Sequence, residues 1–298
     1  MNETPASEPV AFFGGRLVPA SQVRISPWDQ GFIWGATVSE RLRTFGGRLF
    51  RWKQHLERFR KSLEVVGISL GWSDQELQRL AEEVVAANYR LLPTGDDLDV
   101  TLWATPGNAD GVPNFCILTA PLRWDRWCEL YESGVTLETS EITQVPATCW
   151  PTHIKCRSRM HYFLADRHAS AGSQALLLDT QGWVSETPTA NVLAVTARGV
   201  VISPPLASVL PGISLACTRE LCVRLDLPFL EQAIKPQDLL HAAEVLLTST
   251  PYCILPVTRL DGQTIGPGTP GPIYRRLLAA WKELAGLDVV AQARSFAG

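Results

Sequence analysis

Two Gly-Gly-Arg triplets constrain the N-terminal third of the chain. Gly14-Gly15-Arg16 interrupts residues 10–18, and Gly46-Gly47-Arg48 interrupts residues 37–52. Both stretches are rich in aromatic and β-branched residues, so each reads as a β-hairpin that turns on its glycines. The period then changes. Leu56, Phe59, Leu63 and Val66 recur at helical spacing across residues 53–66. A second helix opens at Ser73, where Glu76 completes a capping box, and runs to about Arg90. Strands follow near 98–105 and 114–119.

The segment 121–134 lacks a clear period and reads as a linker between a domain at 1–120 and a second at 135–298. The second domain begins with a strand near 135–141 and a segment around Lys155. A helix runs from Ser158 to a glycine stop at Gly172. Residues 175–179 read as a strand that turns at 180–182 into 183–186, and a strand at 191–195 precedes a helix opening at Gly212. Strands at 244–248 and 254–257 precede a last helix at 272–287. Strands, helices and strands again, in both halves, indicate a mixed α/β (α+β) fold and not a regular βαβ series.

Composition narrows the function. The chain has 298 residues, 46% hydrophobic and 19% charged, with a net charge of −3. That balance suits a globular protein and argues against a nucleic-acid or anionic-membrane partner. The N-terminus carries no basic and apolar leader pattern, and no stretch approaches the roughly 18 apolar residues of a membrane span. Seven cysteines are scattered without a Cys-x-x-Cys pair, so the expected compartment is the reducing cytoplasm. Five histidines without metal-ligand spacing lead us to expect no metal site.

Lys155 differs from the other lysines, Lys53, Lys61, Lys235 and Lys282, in lying in Cys149-Trp150-Pro151-Thr152-His153-Ile154-Lys155-Cys156, a run of bulky and soft side chains. Desolvation there lowers an ammonium's pKa and frees a nucleophilic amine. On local context alone, a snorkelling lysine is the stronger reading. Arg58, on a helix face away from Leu56 and Phe59, reads as an anion ligand or, more simply, as a solvated helix arginine. Pro211-Gly212-Ile213-Ser214 opens a helix whose free N–H groups suit a phosphate. Thr248-Ser249-Thr250-Pro251 ends a strand with three hydroxyls, and Glu186 follows an apolar strand and needs a partner.

In order, these stretches resemble the fold-type IV pyridoxal phosphate (PLP) enzymes: branched-chain aminotransferases, D-amino acid aminotransferases and aminodeoxychorismate lyases. The matches are Trp28 to Gly35, His55 to Phe59, Ile154-Lys155, Gly182 to Glu186 and on to Asn191, Leu210 to Ser214, and Leu247 to Val257. The resemblance implies two α/β domains with the cofactor between them, and a homodimer. It implies that Lys155 carries PLP as a Schiff base and that Arg58 binds its phosphate with Ile213, Ser214, Ser249 and Thr250. Glu186 would pair with the pyridine nitrogen, with Asn191 beside it. Trp34, Ser39, Arg41, Thr101 and Arg159 would fall in the substrate pocket.

The substrate pocket departs from the family. Ser39 replaces an aromatic residue, Thr101 an arginine, Arg159-Met160 an Asn-Tyr pair and Leu215 an arginine, and Tyr162 falls out of the register of that tyrosine. The familiar carboxylate traps are absent. Either Arg157, Arg159 or Arg41 forms a different trap, which the arginines beside the pocket favour, or the substrate has no α-carboxylate. The implied activity is transfer of an amino group from an amino acid or amine to a 2-oxo acid. A lyase that releases pyruvate, and a PLP-binding relative without turnover, are the alternatives.

Overall fold

The computed structural model describes residues 8–297 and divides them into two compact units. The first runs to Leu122 and takes in Ile154–Ser158; the second comprises Arg123–His153 and the chain from Arg159 onward.

Unit 1 is a six-stranded antiparallel sheet in the order β2-β1-β6-β5-β3-β4. Its strands are β1 (Val10–Phe13), β2 (Arg16–Pro19), β3 (Val38–Phe45), β4 (Arg48–Leu49), β5 (Leu98–Thr105) and β6 (Asn114–Pro121). Both expected hairpins form, and Gly14, Gly15, Gly46 and Gly47 all take the positive φ that their two-residue turns require. A short helix α1 (Gln30–Ile33) is capped by the Asp29 carboxylate. The long helices are α2 (Trp52–Val66) and α3 (Asp74–Tyr89), and the Ser73–Glu76 capping box forms. Leu56, Phe59 and Leu63 of α2 and Leu77, Ala81 and Val84 of α3 pack on Val38, Leu42, Val100 and Ile117 of the sheet. The opposite face carries a smaller cluster of Ala11, Trp103 and Cys116.

Unit 2 holds an eight-stranded mixed sheet, β11-β10-β9-β12-β13-β7-β8 with β14 paired to β13. The strands are β7 (Val135–Thr139), β8 (Ser173–Leu176), β9 (Asn191–Val195), β10 (Val201–Ser203), β11 (Phe229–Glu231), β12 (Glu244–Ser249), β13 (Cys253–Leu260) and β14 (Gln263–Thr264). The helices are α4 (Leu130–Ser133), α5 (Met160–His168), α6 (Ile213–Arg224), α7 (Pro236–Leu240), α8 (Pro272–Ala285) and α9 (Val289–Phe296). Residues 183–186 form only isolated bridges, Leu178 with Val184 and Glu186 with Asn191.

Two placements differ from the sequence reading. Most of the segment read as a linker is packed core of unit 2. Trp124, Trp127 and Tyr131 are buried, and the Tyr131 hydroxyl donates to the Tyr252 carbonyl at 3.0 Å. Aromatic rings without a helical or strand period look like loop in sequence, but each buries roughly 150–250 Å² when tertiary partners exist. Second, Lys155 lies in unit 1 and not in the C-terminal domain. The chain returns to unit 1 for five residues, Ile154–Ser158, where Cys156 bridges Val38 on the β3 edge. Such non-local pairing has no local sequence signal.

Candidate active site

In unit 1, the site is built on one stripe of α2. His55, Arg58 and Ser62 are spaced i, i+3, i+7, which puts them on one face of the helix, beside the apolar stripe of Leu56, Phe59 and Leu63. All three are buried, so Arg58 is not the solvated helix arginine of the simpler reading. Glu40 projects from β3 on the same side as Val38 and Leu42 and meets this stripe. Its Oε2 accepts from Arg58 Nε at 2.9 Å, and its Oε1 accepts from Arg58 Nη2 at 2.6 Å. Oε1 also lies 3.0 Å from His55 Nδ1.

Burial alone would raise the Glu40 pKa, but Arg58 and then His55 outweigh it, so the carboxyl lies well below the usual range. His55 is pushed down from its ordinary value, first by burial and further by the positive charges of Arg58 and Lys155. It is therefore neutral at pH 7, and Nδ1 must carry the hydrogen that faces Glu40.

The same stripe holds Lys155. The Lys155 backbone N–H donates to Ser62 Oγ at 3.1 Å, and Ser62 Oγ donates to the Arg58 carbonyl at 3.1 Å. Ser39 N–H donates to the Lys155 carbonyl at 2.8 Å, and Arg157 N–H donates to the Thr37 carbonyl at 2.7 Å. The lysine backbone is thus fixed on one side by β3 and on the other by α2. A loop lysine held in this way is preorganised, which snorkelling at a strand end does not require.

Of the expected pocket residues in unit 1, Ser39 is buried on β3, Thr101 is half-buried on β5, and Trp34 is exposed at the end of α1. Arg41 stands opposite Thr101 in the β3–β5 register. Its Nε and Nη2 both donate to Asp99 Oδ2, so a carboxylate of the protein already occupies its fork.

In unit 2, Glu186 is the centre. It is buried, and Oε1 accepts from the Tyr162 hydroxyl at 2.7 Å and from Gln144 Nε2 at 2.9 Å. Oε2 accepts from Asn191 Nδ2 at 3.3 Å. Gln144 Nε2 also donates to the Tyr162 oxygen at 2.6 Å. Burial, and then the Glu186 charge, push the Tyr162 phenol well above its ordinary pKa, so it remains a donor. Tyr162 thus finds Glu186 despite its shifted register. Gln144 was missed altogether, because a glutamine in the irregular stretch after β7 carries no local signal.

Asn191 links this carboxylate to a second feature. Its Nδ2 also donates to the Leu210 carbonyl at 2.9 Å, in the loop that enters α6. Gly212 is the N-cap of α6 and offers no side-chain cap. A Cβ on Gly212 would fall 2.1 Å from Asn191 Oδ1, so this close approach excludes any side chain. Ile213 and Ser214 then open α6 with their N–H groups outside the helix ladder. Ser249 ties the end of β12 to the neighbouring loop by donating to the Thr189 carbonyl at 2.6 Å. Thr250 is half-buried in the following turn, and the buried Thr248 hydroxyl has no hydrogen-bond partner among the described residues.

A carboxylate supplied with three donors suits a cationic ring nitrogen, and a glycine-opened helix start suits a phosphate. One asparagine joins the two. These residues fit a cofactor with a nitrogen heterocycle at one end and a phosphate at the other. Among the described residues, no cluster of His, Cys, Asp and Glu could hold a metal, and no helix is long and apolar enough to cross a membrane.

Fold and site together define a fold-type IV enzyme. The family model for amino-transferase class IV matches residues 37–260, and the chain belongs to that family. It is 31% identical over 274 residues to the D-alanine aminotransferase of Bacillus licheniformis, covering 90% of this chain and 94% of that one. The branched-chain amino acid aminotransferase of Escherichia coli has the same fold, with a TM-score of 0.86 at 23% identity over 93% of this chain and 94% of that chain. So does a T.th. branched-chain amino acid aminotransferase complexed with N-(5'-phosphopyridoxyl)-L-glutamate, with a TM-score of 0.85 at 24% identity over 94% and 95% of the two chains.

Proposed function

We propose that this protein moves an amino group from an amino donor to a 2-oxo acid, using PLP carried by Lys155. The observation that supports this most directly is the Asn191 bridge between a donor-supplied carboxylate and the glycine-opened start of α6. PLP, when bound, supplies an electron sink that stabilises negative charge on the substrate carbon.

The chain's own residues would do the rest. Glu186 would hold a proton on the ring nitrogen, with Tyr162, Gln144 and Asn191 fixing its position. Ile213 and Ser214 would bind the phosphate through backbone N–H groups, with the hydroxyls of Ser214 and Thr250 nearby. Arg58, oriented by Glu40, would add positive charge for the same phosphate. Lys155 Nζ would hold the cofactor at rest and, when displaced by the donor's amine, would take the proton from the substrate carbon as a general base and give it up as a general acid to the carbon on the far side of the imine nitrogen. We read the working form as a cytoplasmic homodimer. The exposed Trp28, Phe32 and Trp34 within unit 1 support self-association.

The visible spectrum of the protein purified with PLP tests the reading. The wild type should show the absorption band of a lysine-bound cofactor, and Lys155→Ala should lack it. Adding an amino donor without acceptor should bleach that band as the amino group is taken up, whereas a lyase would keep it. A colourless wild type would defeat the proposal.

A further inference from the structure

The three arginines that the sequence offers as carboxylate ligands have different surroundings. Arg41 is neutralised by Asp99. Arg157 is exposed and lies on the segment that pairs with β3. Arg159 is half-buried at the start of α5, and its guanidinium lies 4.6 Å from the centroid of the Tyr162 ring, the residue that donates to Glu186. It donates through Nη2 to the Pro188 carbonyl, in the turn between Glu186 and Asn191.

That carbonyl is neutral, and Arg159 forms no ion pair with any described carboxylate. Asp166 feels the Arg159 charge, but its own burial outweighs that influence, and it accepts from the Ala175 N–H. Burying part of a guanidinium without a counter-charge is unfavourable. Stacking on Tyr162 and one hydrogen bond fix the plane of the fork while Nε and Nη1 remain as donors. A rigid fork with spare donors and an unmatched charge is complementary to a carboxylate.

We propose that Arg159 recognises the carboxylate of the substrate, so that donor and acceptor are amino and 2-oxo acids rather than plain amines and ketones. The proposal rests on the transamination reading and names its substrate class. Within unit 2, Arg159 lies against Tyr162, which donates to Glu186, so the cation borders the proposed ring-nitrogen site.

The test compares racemic alanine with ethylamine, the same amine without the carboxylate, in wild type, Arg159→Ala, Arg159→Gln and Arg79→Ala, the last an exposed arginine of α3. Arg159→Gln retains a donor for the Pro188 carbonyl and much of the volume, which guards against simple collapse of the Ala variant. The alanine-to-ethylamine ratio of kcat/KM should fall about 10- to 100-fold in both Arg159 variants, the range expected for one charge-assisted hydrogen-bonded pair. Arg79→Ala should shift the ratio less than about threefold. Calorimetric titration with propionate, which cannot react, should show a matching loss of affinity in the Arg159 variants and needs no turnover.

Unchanged ratio and propionate affinity in both Arg159 variants, with the cofactor band intact, would overturn the role of Arg159 and leave transamination standing. A wild type without the band would defeat transamination, and the propionate titration would still decide whether Arg159 binds a carboxylate.

Discussion

Glu40 in unit 1 and Glu186 in unit 2 are both buried carboxylates, and different side chains position them. Glu40 is matched by the Arg58 guanidinium and the His55 ring. Its charge is cancelled where it lies, and its effect is to orient Arg58 and so the α2 stripe that carries Lys155. The hydrogen bonds to Glu186 come from a phenol and two amides. Each of these donors is neutral and positions the carboxylate without contributing a counter-charge of its own. Losing the charged partner of Glu40 should therefore cost more than losing one neutral donor of Glu186.

The largest effect expected from this contrast comes from Arg58→Ala. It strips Glu40 of its principal counter-charge and should destabilise unit 1 by about 3–5 kcal/mol. Urea unfolding would measure the loss, and adding Glu40→Gln should recover part of it.

Tyr162→Phe removes one donor from Glu186 and one acceptor from Gln144, all within a neutral network. Its cost should be about 1–3 kcal/mol, with weaker PLP retention in dialysis. If it destabilised the protein as much as Arg58→Ala does, the two carboxylates would not differ in the way described.

The smallest effect is a pH slope. His55 has a folded pKa below its ordinary 6.5. As pH falls below that value, the unfolded chain takes up a proton that the folded protein refuses, and stability is lost. The slope should reach about 1.4 kcal/mol per pH unit for one proton. His55→Asn, which keeps a donor toward Glu40, should flatten it in urea unfolding at pH 6.5 and 5.5. His161 in unit 2 is also pushed down, by burial and by Arg159, so some slope should persist. Glu40, with its depressed pKa, adds a further loss only below about 4.5, its unperturbed value.

What the sequence made legible follows from the range of each interaction. The Gly-Gly hairpins, the Ser73–Glu76 capping box and the strands β5, β9 and β12 all carry local signals, and the structure has each of them. Lys155, Arg58 and Glu186 could be singled out only through their order along the chain, because a lysine in an apolar run or an arginine on a helix has a simpler meaning by itself. The partners of those residues were mostly not readable. Glu40 meets Arg58 from 18 positions away, and Gln144 meets Glu186 from 42. Arg58 read most simply as a solvated helix arginine because a lone cation on a helix usually is one. Here a strand carboxylate turns that face of the helix into an interior.

The five-residue return of the chain to unit 1 has a consequence for how the gene can be divided. A polypeptide ending at Leu122 would contain every strand of the first sheet but not Ile154–Ser158, and its β3 edge would be bare from Thr37 to Ser39. Bare edges recruit other chains. The remainder, expressed alone, would carry Lys155 on a strip with nothing to pair against. The two halves are therefore stitched rather than strung together. A recombination event or a designer's truncation that moved either half as a block would separate the amine from the strand and helix that hold it.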